Sequence, residues 1–259
     1  MSELASPPPA RPTNRDEDWR YADSGFLAQA DLTDLTEWAD LRVAPGETVR
    51  DYRVLPRDAE GESLVERVRV HVGKGGRFEL AVVNAAGPYA RFEAEVTLAE
   101  GAHFEFGGVT IGGDAKVQEF VTRVIHAEPE ATSQQVVRAV QWGRATGNFL
   151  GRVEVVRDAQ KTDAGQNFRA ILLEKGASAN AKPELEIYAD DVKCAHGTAI
   201  GALDQQAGFY MASRGIPPEV ARKLLVRAFI ADAFEGVSDE TEQTRLLDMA
   251  LFALEEAAL

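Results

Sequence analysis

From about residue 48 to residue 189 the chain alternates apolar and polar side chains. Phe78, Leu80 and Val82 are separated by polar or small residues. Phe92, Ala94, Val96 and Leu98 are separated by Glu93, Glu95 and Thr97, with Arg91 just before them. Val68, Val70 and Val72 alternate with Arg67, Arg69 and His71, and Phe104 and Phe106 flank Glu105. A strand turns successive side chains to opposite faces, so this alternation predicts strands with one buried and one wet face. Glycine-containing breaks divide them: Gly73 to Gly76, Gly87-Pro88, Gly101, Gly107-Gly108 and Gly112-Gly113. Many short strands without intervening helices fit a sandwich, a barrel or a β-helical solenoid. No repeat of fixed length is visible, so a solenoid would need irregular rungs.

After Gly201 the period becomes helical. Leu203, Ala207, Tyr210 and Met211 share a face, and Gly215 suits a left-handed helix stop. A second helix is expected from Pro217-Pro218 to Gly236, with Val220, Leu224, Ala228 and Ala231 on one stripe and Ala221, Leu225 and Phe229 beside it. A third follows Ser238 as N-cap, with Leu246, Leu247, Ala250, Leu251 and Leu254 as its apolar face. At the other end, the first fifteen residues, with Pro7, Pro8 and Pro9, read as a mobile extended tail. Trp19, Tyr21, Phe26 and Leu27 form an apolar cluster that can dock on the body, and residues 31–40 fit either a brief helix or a turn. The organisation expected is a tail and docking segment over 1–40, a β body over 41–200 and a helical region over 201–259.

Composition narrows the function classes. The formal net charge of −14 disfavours phosphate backbones and anionic membranes, which need basic patches. One cysteine permits no intrachain disulfide. No basic-then-apolar leader and no bilayer-length apolar run is seen, so a cytoplasmic location is expected.

Candidate chemistry is sparse. There is no Walker A motif, no nucleophile elbow and no His-Glu-x-x-His helix, and Gly73-Lys74-Gly75-Gly76 reads as an ordinary turn. His71 and His103 fall on wet faces, and His126 reads as a loop residue at a strand end. Cys194 and His196 stand out because a thiolate and an imidazole two residues apart suit iron, zinc or copper. They are half of a site, so further ligands would come from elsewhere in the fold or from another chain. Asp190 and Asp191 are adjacent and fit capping of a turn better than a catalytic pair.

The run from Gly147 to Gly236 resembles the SufD/SufB family of scaffold subunits in the SUF iron–sulfur cluster assembly system. The resemblance rests on NFLGRVEVVRDAQKTDAGQNFRAILL, AKPELEIYADDVKCAHGTAIGALD and FYMASRGIPPEVARKLLVRAF, in that order. Asn14 to Tyr21 is similar to the family's Trp-x-Tyr segment, although only eighteen residues precede Trp19, where the family has a helical domain. The single cysteine and His196 favour the SufD side.

The resemblance implies a right-handed parallel β-helix with a small C-terminal helical domain. It also implies a non-catalytic scaffold working with a SufB-type subunit and a SufC-type ATPase. His196, and more weakly Cys194, would contribute to a transient iron–sulfur cluster shared with the partner. Arg222, Leu224, Leu225, Ala228 and Phe229 would dock the ATPase. Two other readings stand beside it: a carbohydrate-active β-helix enzyme using Asp190 or Asp191, and a stand-alone metal-binding homodimer pairing two copies of His196.

Overall fold

The computed structural model describes residues 10–55 and 63–254. The expected tail lies outside the described residues as far as residue 9. Its remainder is tied down: the Arg11 guanidinium donates to the Leu27 and Ala30 carbonyls at 2.8 and 2.7 Å, and the Asn14 amide to Ala22 O at 2.7 Å.

The alternating stretch folds as a parallel β-solenoid of about five turns. One sheet stacks β1 (Ala39–Val43), β3 (Leu64–Val72), β5 (Tyr89–Leu98), β7 (Val117–His126), β9 (Thr146–Val155) and β11 (Ser178–Ile187) in that order. The other stacks β2 (Thr48–Leu55), β4 (Arg77–Asn84), β6 (His103–Gly112), β8 (Thr132–Gln141), β10 (Asp163–Leu172) and β12 (Lys193–Gly201). Every pairing is parallel and in register, so like positions of successive turns lie above one another. The turn length varies: Arg67 reaches Glu93 26 residues on, whereas Arg152 reaches Glu184 32 residues on. That variation is why no repeat shows in the sequence.

The interior between the sheets is filled by the alternating apolar side chains. Phe78, Phe104, Phe106 and Phe120 are fully buried, with ring centroids 5.8 Å apart for Phe78–Phe104 and 5.5 Å for Phe106–Phe120. Gly107 and Gly108 do not break the chain here but sit inside β6. Gly107 leaves room for the backbone of the helical region, since a Cβ there would run into the Ala233 carbonyl oxygen.

The outer face of the even-numbered sheet carries a second core. Ala81, Val83, Val109, Ile111 and Val140 pack against Val226, Ile230, Phe234, Leu246 and Ala250. These come from α4 (Pro218–Ala231), a 3₁₀ turn (Asp232–Phe234) and α5 (Glu240–Ala253). The expected cap of the last helix is corrected: Asp239 caps α5, accepting from the Thr241 and Glu242 amides, while the Ser238 hydroxyl donates to buried Glu79 at 2.7 Å.

The outer face of the odd-numbered sheet is charged, yet part of it is not wet. Arg91 is fully buried and Glu93 nearly so, contrary to the alternation. They are covered by Trp19, Ala22, Leu27 and Leu35 from the 3₁₀ turn Glu17–Trp19, α1 (Ser24–Gln29) and α2 (Leu32–Thr36). The Arg91 guanidinium lies 3.8 Å from the Trp19 ring centroid and donates to Asp18 O at 2.8 Å. Glu17 reaches Lys182 on β11 at 2.7 Å, so the segment straps several turns together.

Candidate functional site

Strand β12 closes one stack and β11 the other, and among the described residues neither has a partner on its far edge. Both are only partly covered along their length. The backbone groups and inward faces of this terminal turn are an open end of the solenoid.

Cys194 and His196 lie on this strand. Register aligns Cys194 with Ala164 and His196 with Gln166 on β10, and Ala164, Phe168 and Ala170 are core residues. Cys194 and His196 therefore face the interior side, at a terminal level where, among the described residues, no further strand covers them. Cys194 is half-buried against the core, while His196 is exposed. Burial, reinforced by the charge of Asp163, pushes the Cys194 thiol above its ordinary range. A thiol raised in this way keeps its proton at neutral pH. Among the described residues no group of three or more His, Cys, Asp or Glu side chains converges. Asp190 and Asp191 sit in the turn before β12, where the Asp191 amide donates to Gln160 Oε1 at 2.9 Å.

Around these residues runs an open groove of about 530 Å³, lined by Gln134, Asp163, Gln166, Asn167, Cys194 and His196. Gln166 was not singled out in the sequence. The inward parity of its strand, Ala164-x-Gln166-x-Phe168, is the signal that marks it, because a glutamine at a core position needs a reason.

The other histidines divide. His71 is exposed, and His103 is half-buried between Thr132 Oγ1 (2.7 Å) and Glu105 Oε2 (3.2 Å). His126 is no loop residue: it ends β7, is fully buried and contacts Ser133 Oγ at 3.0 Å. Burial lowers its pKa to about 4.

The second candidate surface is helical. α3 (Gln205–Ser213) ends at Gly215 with φ +85°, where the Ile216 amide donates to Met211 O and the Gly215 amide to Ala212 O. α4 ends at Ala231 rather than at Gly236, the 3₁₀ turn following directly. Its inward face is Ala221, Val226 and Ile230. Val220, Leu224 and Ala228 face solvent, next to exposed Phe209 and Tyr210 of α3. Arg222, Leu225 and Phe229 are half-buried, and Phe229 lies 5.7 Å from the Arg138 guanidinium. The five expected docking residues thus straddle the boundary between packed and free faces.

A parallel solenoid with a cysteine–histidine pair at its open end and an amphipathic helix pair beside it can be compared with known proteins. The profile of the "SUF system FeS cluster assembly, SufBD core domain" matches residues 42–229. The chain belongs to the SufBD family. It is similar to an iron–sulfur cluster assembly SufBD family protein of Synechocystis, 32% identical over 73% of this chain and 42% of the relative. It is 35% identical to the iron–sulfur cluster assembly protein SufD of Escherichia coli over 47% of this chain and 29% of that protein. It is also 41% identical to a chloroplastic protein, ABCI7, of Arabidopsis thaliana over 44% of this chain and 24% of that one. The chain spans less than half the length of these relatives. Among the described residues no helix is long and apolar enough to cross a membrane.

Proposed function

We propose that this SufBD protein is a SufD-type scaffold subunit, non-catalytic by itself, that helps build an iron–sulfur cluster with a SufB-type subunit and a SufC-type ATPase. The cluster is cargo rather than a resident cofactor. The observation that carries this reading is the position of His196 and Cys194 on the interior side of the uncovered terminal turn. A partner strand added to β11 or β12 would extend the sheet by main-chain pairing and bring its own ligands over His196. In this reading His196 supplies the imidazole, and Cys194, protonated in the isolated chain, supplies a thiolate only when iron displaces its proton.

The ATPase would dock on α3 and the free stripe of α4, with Leu224 and Ala228 in direct contact and Arg222, Leu225 and Phe229 at the rim. This reading takes the work to be cytoplasmic.

Anaerobic co-expression with both partner types, followed by affinity capture and absorption spectroscopy, tests the whole reading. Wild type is expected to bring down both partners with a visible cluster band, and His196→Ala to bring down both with that band weakened. A chain that captures neither partner would refute it.

A further inference from the structure

Inside the solenoid a file of polar side chains interrupts the phenylalanine, valine and alanine packing. On the odd-numbered sheet Thr122, Gly151 and Pro183 stack in register across β7, β9 and β11. Opposite them Gln135, Gln166 and His196 stack across β8, β10 and β12. At the deepest level the Thr122 hydroxyl donates to Gln135 Oε1 at 2.6 Å, both residues being buried. One level up, Gln166 is only 3% exposed, and its amide reaches across to Gly151, where a Cβ would lie 2.8 Å from Gln166 Nε2. At the top sits His196.

Gln166 is out of place by the ordinary accounting of buried polar groups. Among the described residues neither its Oε1 nor its Nε2 has a hydrogen-bond partner, and Gln135 Nε2 below it has none either. A buried amide left so would cost stability, and such groups in native proteins are satisfied by protein or by water. The groups in register with it on the inner face of its own sheet are Gln135, a free donor, and His196, a ring with two nitrogens. An amide oxygen has two acceptor sites, enough for both.

The chemistry of an imidazole ligand supplies the purpose. A histidine presents one bare nitrogen to a metal only if its other nitrogen keeps the proton, and a carbonyl-type acceptor on that N–H fixes the tautomer and the ring plane. We infer that Gln166 is a positioning residue for His196. Its buried Oε1 accepts the inward N–H of the imidazole through one bridging water and leaves the outward nitrogen bare at the open end. The inference rests on the reading of His196 as the working imidazole, but the hydrogen bond belongs to the isolated chain and is measured there.

The test is long-range ¹H–¹⁵N spectroscopy of the full chain, uniformly ¹⁵N-labelled and metal-free, well above the ordinary imidazole pKa, with His196→Ala assigning its signals. Wild type is expected to show His196 as one dominant tautomer. In Gln166→Met, of similar volume, the two ring nitrogens should move towards the averaged shifts of an exchanging ring, while His126 and His103 stay put. Gln166→Asn, keeping an amide on a shorter stem, should restore part of the preference through water, and it serves as well if the Met variant folds poorly. A tautomer preference unchanged in Gln166→Met, or absent from wild type, overturns the inference. Those results say nothing against the scaffold reading, which fails instead if His196→Ala leaves the cluster band of the co-expressed complex intact.

Discussion

Replacing Arg91 by methionine isolates the amino-terminal strap on the outer face of the odd-numbered sheet. The guanidinium is fully buried, donates to Glu93 Oε2 at 2.9 Å and to Glu119 Oε2 at 3.3 Å, and stacks on Trp19. Burial opposes charge on Glu93, yet Arg91 and Arg67 beside it hold its carboxyl below the usual range. Methionine fills similar space and removes the charge, leaving Glu119, among the described residues, with the Tyr89 hydroxyl (2.7 Å) and the Asn148 amide (3.0 Å). Breaking a buried pair from one side costs about 3–5 kcal/mol. The contact with Trp19 adds about 1–2 kcal/mol of the same sign.

Glu93 keeps Arg67 at 3.0 Å, so the stranded charge is Glu119. Glu119→Gln on the Arg91→Met background removes that charge and should recover about 1–3 kcal/mol, the cost of leaving a buried acceptor unpaired. Urea denaturation followed by far-ultraviolet circular dichroism gives both numbers, and hydrogen exchange over residues 16–36 reports release of the strap. A cost below about 1 kcal/mol for Arg91→Met, or a recovery below about 0.5 kcal/mol, refutes the argument that this buried charge pair holds the segment down.

Three further outcomes follow from the same geometry. His126 has a folded pKa of about 4 against an ordinary 6.5, so the unfolded chain takes up a proton first and stability falls as pH drops from about 6.5 towards 4. The full window is worth about 3 kcal/mol, and urea midpoints against pH should lose that slope in His126→Leu. Gly107→Ala pushes a Cβ into the Ala233 carbonyl; a loss of about 1–3 kcal/mol is expected, with hydrogen exchange in α4 and α5 rising more than in β3 to β7. Leu224→Glu alters a side chain 44% exposed on α4. It should shift stability by less than about 0.5 kcal/mol while abolishing capture of the ATPase, and unimpaired capture would move the docking surface elsewhere.

Local rules made much of this protein legible from its residues. Alternation in 68–72, 78–82, 92–98 and 104–106 located strands, because a half-buried strand must alternate. Gly215 and Pro217-Pro218 punctuated the helices, because left-handed φ and a missing N–H are properties of single residues. Cys194 and His196 stood out by their two-residue spacing, and strand alternation puts both on one face of β12.

What escaped was set by contacts between residues distant in sequence. Alternation puts Arg91 on the outer face, and only the docked Trp19 makes that face dry. Gly107-Gly108 reads as a break until the Ala233 backbone, 126 residues later, is seen against it. Ser238 reads as a cap until buried Glu79, 159 residues earlier, takes its hydroxyl. Which sheet faces what, and that Gln166 lies beneath His196, depend on turn lengths that vary along the chain, and register across variable turns is a property of the assembled solenoid. The sequence by itself determined the strands, the helices and the spacing of Cys194 and His196. Tertiary structure decided which polar groups are buried with them, because burial is a relation between surfaces that meet only after folding.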